Sequence, residues 1–274
     1  MRIAPGLVFG YPLYSAVDTR RLVVYLANET AGEVLSIGGT ARSGQLQALA
    51  SLLLKVFNGR VLNLDYWRIR GDVRDGVSAP FLPASKARSL LKNIRDFAEG
   101  RSVPSSESEW FTHGAELMRK VNAEDRQWRT KFQEMYRNRE QDANKPGLPL
   151  DDFIKSVTVK ELVLSRVAAI CADAGAKDPT TRASELLASA FKGCPALGIH
   201  LWIRIARLWW YTESTREGRT ASMDYFDDAL LGHLAEHDVL VTPDSALLEF
   251  GRIALPEKQL LTPEAFRAEY LDGA

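Results

Sequence analysis

Short apolar runs lie near the two ends of this chain, and longer stretches with helical periodicity fill its middle. Leu22 to Leu26, Arg60 to Leu64 and Val239 to Val241 are rich in β-branched or large apolar residues, and we interpret them as buried strands. Residues 42–58 carry leucines at helical spacing and end in Asn58-Gly59, which predicts an amphipathic helix. A strand, a helix and a strand in this order predict a right-handed crossover between two parallel strands.

The central part of the chain has the pattern of consecutive helices. The predicted helices are Ala84 to Glu99, Ser105 to Gln141 as one long helix or two, 150–174, 180–193 and Pro195 to Glu213. The strands at the two ends can form one sheet only if those ends come together. We therefore expect an α/β fold in a single domain, 1–274, with a predominantly helical insertion over 75–195.

The segment from Asp224 to Asp244 carries most of the candidate chemistry. It predicts a short helix with Asp227 and Asp228 in its first turn, then the third strand, and then Asp244 just beyond that strand. In α/β sheets, ligands bind outside the carboxyl ends of the strands, so these acids can converge there. Carboxylates that converge without Lys or Arg neighbours usually hold a divalent cation.

This segment resembles the C-terminal signature of PIN-domain nucleases, in which an acid opens a helix and an apolar strand ends in Thr-x-Asp, here Thr242-Pro243-Asp244. Leu260 to Phe266 is similar to the last strand of many PIN-like proteins, and Arg21 to Asn28 has the shape of the first strand. The resemblance implies a PIN-like parallel sheet flanked by helices and an endonuclease that cleaves RNA, or alternatively DNA, with Mg²⁺ or Mn²⁺. It implies a metal-activated water that leaves a 3′-hydroxyl and a 5′-phosphate. The acids it assigns to the metal are Asp224, Asp227, Asp228 and Asp244.

The chain departs from the family pattern at two positions. The first strand of the family closes in Leu-Asp-x-Asn, and Ala27 stands where the aspartate is expected. An alanine cannot bind a cation, so three explanations are open: a substitution that inactivates the enzyme, a degenerate site, or a ligand supplied by Glu29 or Glu33. The family's middle acid has no clean match, and the nearest candidates are Asp72 and Asp65.

Each acid also has a structural interpretation. Asp224 could be the N-cap of the helix that begins at the next residue. Asp227 and Asp228 could be first-turn acids that interact with the helix macrodipole. Asp244 could cap a helix from Ser245 to Arg252.

Charge composition restricts how this chain could bind nucleic acid. It holds 35 basic and 35 acidic residues and so has a formal net charge of zero, which means that any phosphate binding must come from local basic clusters. The preferred cluster is Arg204, Arg207, Arg216 and Arg219, because these residues come just before the acids. A second mixture of aromatic and basic residues, Glu116 to Glu140, carries nearly balancing acids, which favours a solvated amphipathic helix.

The remaining composition favours a protein of a reducing, non-membrane compartment such as the cytoplasm. Cys171 and Cys194 are the only cysteines and lack metal-ligand spacing, so we expect buried reduced thiols. Basic residues interrupt the most apolar stretches, which argues against a membrane span. If the resemblance extends to toxin or defence systems, a protein partner that covers the site is expected. The alternative function is a non-catalytic PIN-like binding or scaffold module for protein or nucleic acid, which Ala27 favours if it is natural.

Overall fold

The structure is a computed structural model of the whole chain. The residues that it describes are 25–27, 43–57, 59–63, 65–76, 80–101, 123, 125–136, 138, 149–216, 225–235 and 237–272. These residues are mostly helical, with two small sheets of two strands each. By its internal contacts the chain divides into two compact units.

The first unit takes the described parts of Met1–Leu64, Pro80–Val121 and Leu261–Ala274. Its elements are β1 (Leu26–Ala27), α1 (Ser43–Val56), β2 (Val61–Leu62), α3 (Ala84–Ala98), α10 (Pro263–Phe266) and a π-helical segment, Arg267–Leu271. The numbering follows the chain, so α2 and α4 to α9 belong to the second unit.

β1 and β2 are parallel, as the strand, helix, strand order predicted. Leu26 lies opposite Val61, and Ala27 lies opposite Leu62. Leu26 and Val61 are buried in one core with Ala50 of α1 and with Leu90 and Ile94 of α3. The burial of Leu26, Val61 and Leu62 agrees with the apolar character of these strands. The part of the predicted first strand before Tyr25 lies outside the described residues.

The second unit takes the described parts of Asp65–Ala79 and Asn122–Leu260. Its labelled elements are α2 (Asp65–Asp75), α4 (Leu150–Lys155), α5 (Val157–Asp173), α6 (Pro179–Ala188), α7 (Pro195–Arg216), α8 (Tyr225–Gly232), a 3₁₀ turn (His233–Ala235), β3 (Val239–Val241), α9 (Ser245–Ala254) and β4 (Gln259–Leu261). Residues 125–136 form a further helix, called here the 125–136 helix.

β3 and β4 form their own two-stranded sheet, next to which Gln259 N–H donates to the Asp238 carbonyl over 3.0 Å. Among the described residues, the four strands therefore lie in two pairs, and the one continuous sheet that we expected from both ends is not formed by them. The described residues are mainly helical and include a small parallel sheet, which is compatible with an α/β fold.

One predicted helix is divided in the structure, and one helix was not predicted. The predicted helix 150–174 is divided at Ser156, which has extended backbone and whose Oγ accepts the N–H of Val159 over 3.3 Å. This N-cap starts α5 and ends α4 within one apolar stretch. A further helix, α2, was not predicted from the sequence.

The predicted insertion spans several helices of the second unit. α4, α5 and α6 belong to the same unit as α7, α8 and α9, and the long predicted helix from Ser105 is described only in part. The division into a single domain with an insertion over 75–195 stays a prediction. No helix within the described ranges has the length and apolar character needed to cross a bilayer.

Candidate functional site

The predicted acidic segment folds as expected within the second unit. α8 begins at Tyr225, β3 covers Val239–Val241, and α9 begins at Ser245. Leu231 of α8 and Leu234 of the 3₁₀ turn share one core with Leu240 of β3. The helix and the strand are therefore held together by apolar packing, and the acids lie at the ends of these elements.

Asp228 is the most buried of these acids. Its side chain is 1 % exposed, and its Oδ2 lies 2.9 Å from Arg204 Nη1 and 3.0 Å from Arg207 Nη2. Its other oxygen, Oδ1, is buried and accepts no hydrogen bond from any described residue. Two guanidinium groups at this distance would repel a divalent cation, so Asp228 is placed as an anchor of α8 on α7 rather than as a metal ligand.

The same two arginines contact a second buried acid, Asp125. Arg207 Nη2 lies 2.8 Å and Arg204 Nη2 lies 3.0 Å from its carboxylate, and Arg129 Nε lies 3.2 Å away. We call these five residues the Asp125–Asp228 cluster. Because each carboxylate is bracketed by guanidinium donors, the cluster ties the 125–136 helix, α7 and α8 together.

Tyr211 forms one wall of the Asp125–Asp228 cluster. The Arg129 guanidinium carbon lies 4.0 Å from the centre of the Tyr211 ring, which is a cation–π contact. Burial raises the pKa of the Tyr211 hydroxyl, and the nearby positive charges of Arg129 and Arg207 oppose that rise. Burial therefore favours the neutral hydroxyl of Tyr211 in spite of the positive charges beside it.

This cluster changes the interpretation of the predicted basic surface. Arg207 is 2 % exposed and Arg204 is 12 % exposed at the side chain, so both are internal ion-pair partners and not residues of an open substrate-approach surface. Arg216 ends α7, and its side chain lies outside the described residues, as does the whole of Arg219.

Asp227 is distinct from its neighbour Asp228. One residue along a helix turns the side-chain direction by about 100°, so the two carboxylates point to different surroundings. Asp227 is half-buried and makes an interaction of its own within the protein. Asp224, the other predicted acid of this turn, lies outside the described residues.

Asp244 is exposed and caps α9. Its Oδ1 accepts the N–H groups of Ala246 over 2.9 Å and Leu247 over 3.0 Å, while Thr242 Oγ1 accepts the N–H of Asp244 over 3.2 Å. The capping role that was open for Asp244 is confirmed. Its second oxygen, Oδ2, has no part in the cap.

Of the positions that were expected to complete the acid set, the structure describes the backbone of Ala27 and the side chain of Asp72. Ala27 ends β1 in the first unit. Asp72 is fully buried in α2, and its Oδ2 accepts the N–H of Ala196 over 2.8 Å, so it caps the first turn of α7. Asp65 begins α2, and nothing is described of its side chain. Glu29 and Glu33 lie outside the described residues.

The donor chemistry falls short of a complete divalent-cation site. Within the part of the chain that the structure describes, no three His, Cys, Asp or Glu side chains form a group that could hold a metal ion. Asp244 is exposed, and Asp227 is half-buried and makes an interaction of its own within the protein. Mg²⁺ and Mn²⁺ prefer a larger set of oxygen ligands, so these residues alone do not fit a full site.

Sequence reasoning missed the partners of Asp228. Asp125 and Arg129 are four residues apart on one helix, which is a visible signal, but it is identical to that of an ordinary surface ion pair. It also missed that Arg68 Nη1 lies 3.1 Å from His233 Nδ1, with both residues buried. Because arginine can only donate, His233 Nδ1 is the acceptor.

The two cysteines are buried and free, as predicted. Burial raises the pKa of both thiols, which makes them poor nucleophiles at neutral pH. Cys194 Sγ donates to the Asp72 carbonyl over 3.2 Å. They are part of the core and are not a reactive site.

Comparisons of this chain with protein-family models, with curated proteins and with solved structures found no match.

Proposed function

We propose that this chain is a PIN-like endonuclease of the metal-dependent type, directed at RNA, whose acid set is one carboxylate short. Asp227 and Asp244 are the described acids that we assign to its metal, and the resemblance to PIN-domain nucleases assigns a further ligand to position 27. The observation that supports this proposal is the order of elements in the second unit: α8 carries Asp227, β3 shares an apolar core with α8, and Asp244 follows β3.

The arrangement of α8 and β3 supports a common location for Asp227 and Asp244. Leu231 and Leu234 belong to the same core as Leu240, so the end of α8, the 3₁₀ turn and β3 share one apolar core. If β3 runs back alongside α8, the first turn of the helix lies near the carboxyl end of the strand. Asp227 is in that first turn, and Asp244 follows the strand.

The capping role of Asp244 is compatible with a second role. The cap uses Oδ1 alone, with the N–H groups of Ala246 and Leu247. A carboxylate oriented by two backbone donors presents its other oxygen in a defined direction, as carboxylates at metal sites often do. Orientation of Asp244 therefore does not depend on a bound ion.

The deciding experiment restores the missing acid. Ala27→Asp should give Mn²⁺-dependent cleavage of single-stranded RNA that the original chain lacks, with single-stranded DNA as the comparison substrate. Adding Asp227→Asn or Asp244→Asn to Ala27→Asp should abolish the gain. Adding Asp238→Asn, an exposed acid at the other end of β3, should leave the gain unchanged.

A specific observation favours a second candidate, a non-catalytic PIN-like binding module for protein or nucleic acid. The acids described in contact detail have structural roles, since Asp228 anchors α8, Asp72 caps α7 and Asp244 caps α9. If folded Ala27→Asp protein cleaves neither RNA nor DNA with Mn²⁺, the nuclease proposal is wrong and the binding module is left. Filter binding of RNA by the original chain then tests that module directly.

A further inference from the structure

Three segments of the first unit come together around its small parallel sheet. Leu62 of β2 pairs with Ala27 of β1 and also forms an antiparallel bridge with Phe81. Next to that bridge, the Leu82 N–H donates to the Val61 carbonyl over 2.9 Å. β2 therefore lies between β1 and the segment around Phe81.

The side chains of Tyr25, Arg60 and Phe81 meet on this sheet. The ring centres of Tyr25 and Phe81 are 6.0 Å apart with 21° between the ring planes, which is a stacked arrangement. The guanidinium carbon of Arg60 lies 3.9 Å from the centre of the Phe81 ring, a cation–π contact. Tyr25 comes directly before β1 and Arg60 directly before β2, so parallel pairing places them side by side. We call these three side chains the Tyr25–Arg60–Phe81 platform.

The platform lies at the surface of the first unit. Tyr25 is 38 % exposed, Arg60 is also exposed, and Phe81 is half-buried. The residues that directly follow Tyr25 and Arg60 in the chain, Leu26 and Val61, are buried in the core instead. The strands therefore contribute one residue each to the core and one each to this exposed platform.

The Arg60 guanidinium is held by an aromatic ring and not by an acid. Its contact is with the Phe81 ring, and no carboxylate of the described residues pairs with it. Its planar group carries five N–H donors, which suit the oxygens of a phosphate. Arg204 and Arg207 of the second unit differ from it, because both are paired with buried acids. Arg60 is thus a positioned cation that the protein does not neutralise.

We propose that the platform binds single-stranded RNA, with one base stacked on the Tyr25 ring and a neighbouring phosphate paired with Arg60. Every base has a flat face that stacks on an aromatic ring, and an arginine beside the ring adds charge and stacking of its own. A protein partner with an apolar surface would have to bury an unpaired guanidinium, which is costly. The charge on the platform therefore favours nucleic acid.

This inference deepens the proposed function and rests on it for the choice of RNA as the ligand. Tyr25 lies two residues before Ala27, and Arg60 lies two residues before Leu62, the register partner of Ala27. At about 3.3 Å per residue, the platform is about 7 Å along the strands from the position at which the resemblance expects a carboxylate. RNA held on the platform would therefore pass close to position 27.

The test measures binding of a short fluorescein-labelled single-stranded RNA to the original chain by fluorescence anisotropy, without divalent cations. Saturable binding is expected. Tyr25→Ala should weaken it about tenfold because a stacking surface is lost, whereas Tyr25→Phe should retain most of the affinity. Arg60→Gln should weaken it about fivefold or more and lower the slope of log affinity against log salt concentration by about 0.7, the value for one phosphate contact on a single strand.

The matched control is Arg88→Gln, which removes an exposed arginine of α3 in the same unit, whose Nε donates to the Ala84 carbonyl over 3.3 Å. It should bind RNA as the original chain does. A duplex of the same sequence should bind more weakly and respond little to Tyr25→Ala, because its bases are already stacked on one another. If Tyr25→Ala does not fold, Arg60→Gln decides, since it changes an exposed side chain with a single ring contact.

Absence of saturable RNA binding would overturn the inference, and so would equal affinities of Tyr25→Ala, Arg60→Gln and the original chain. An equal loss in Arg88→Gln would also overturn it, because that result shows general charge attraction in place of a defined surface. Cleavage by Ala27→Asp tests the nuclease proposal separately. Binding that depends on the platform without cleavage leaves this inference standing while the nuclease proposal fails, and cleavage without such binding does the reverse.

Discussion

Arg207 lies 3.0 Å from Asp228, and the two side chains are only 2 % and 1 % exposed. The pair fixes the first turn of α8 against α7, and Asp125 extends it to the 125–136 helix. The sequence assigns Asp228 to a metal, but in the structure it is a buried ion-pair partner. Its neighbour Asp227 is half-buried and lies on a different face of α8.

Asp228→Asn should lower the free energy of unfolding by about 3 kcal/mol, because it removes the charge of one partner from a buried ion cluster and leaves two guanidinium groups less compensated. Asp227→Asn, one residue away and half-buried, should lower it by less than about 1 kcal/mol. Urea unfolding of the two variants measures both values. Similar losses in the two would contradict the different roles assigned to these acids.

Asp244→Ala should destabilise the protein by about 0.5–2 kcal/mol, because the N–H groups of Ala246 and Leu247 lose their acceptor. Asp244→Asn should retain most of the stability, since asparagine is also a good N-cap. Thermal unfolding followed by circular dichroism compares the two. In the Ala27→Asp protein, Asp244→Asn thus separates capping from chemistry: cleavage should be lost while the cap remains.

Gly251→Ala should destabilise the protein although alanine favours helices. A Cβ at position 251 would meet Leu260 Cδ2 and also lie 3.1 Å from Leu231 Cδ2, and both leucines are buried in the core. Overpacking costs about 1–3 kcal/mol, which exceeds the gain in helix propensity of up to about 1 kcal/mol. The control is Gly44→Ala in the first turn of α1, where nothing lies within 4 Å of the added Cβ.

In chemical denaturation, Gly44→Ala should unfold at the same or a higher urea concentration than the original chain, and Gly251→Ala at a lower one. Adding Leu260→Ala to Gly251→Ala should cost less than Leu260→Ala costs the original chain, because in the double variant the substitution also removes the clash. Additive losses would show that α9 and β4 are not packed as closely as the structure describes.

Tyr211 should make stability fall at alkaline pH. Burial raises the pKa of its hydroxyl in the folded protein, so the unfolded chain releases this proton first as the pH rises past the ordinary value of about 10. Between the two pKa values the unfolded state binds fewer protons, and stability drops by up to about 1.4 kcal/mol per pH unit. The stability that depends on the neutral Tyr211 hydroxyl is fully present below about pH 10.

Tyr211→Phe keeps the ring against Arg129 and removes the ionisable hydroxyl, so its stability should depend less steeply on pH above about 10. Urea midpoints from pH 8 to 11 for the two proteins measure the difference. The raised pKa values of the buried thiols also make the protein less stable as the pH rises. Both proteins contain these thiols, so their effect cancels in the comparison. Parallel pH profiles would argue against a raised pKa for Tyr211.

Local signals predicted the acidic segment well. β3 is a short apolar run bounded by polar residues, and α9 begins directly after its capping Asp244, so both elements are determined by residues within a few positions. The break at Ser156 was missed because the apolar pattern continues across it, although a serine N-cap was visible in the sequence. Propensity and periodicity describe elements better than they describe their boundaries.

The buried charges could not be predicted in the same way. Asp125 and Arg207 are 82 residues apart, and nothing in either local sequence indicates that they meet. Arg204 and Arg207 in a stretch rich in tryptophan resemble a nucleic-acid surface as much as an internal ion cluster. The choice between these depends on tertiary packing, since only burial determines whether an arginine faces water or a carboxylate.

The bond between Asp72 and Ala196 joins residues 124 positions apart, and it ties the start of the longest described helix to a carboxylate from a distant part of the chain. A helix whose first turn depends on such a donor-acceptor partner is completed late in folding, after the intervening chain has closed a long loop. On the ribosome, α7 must therefore emerge before α2 has its polar partner. A fragment that starts beyond residue 80 would lack the Asp72 carboxylate. The N–H of Ala196 in the first turn of α7 would then have lost its acceptor.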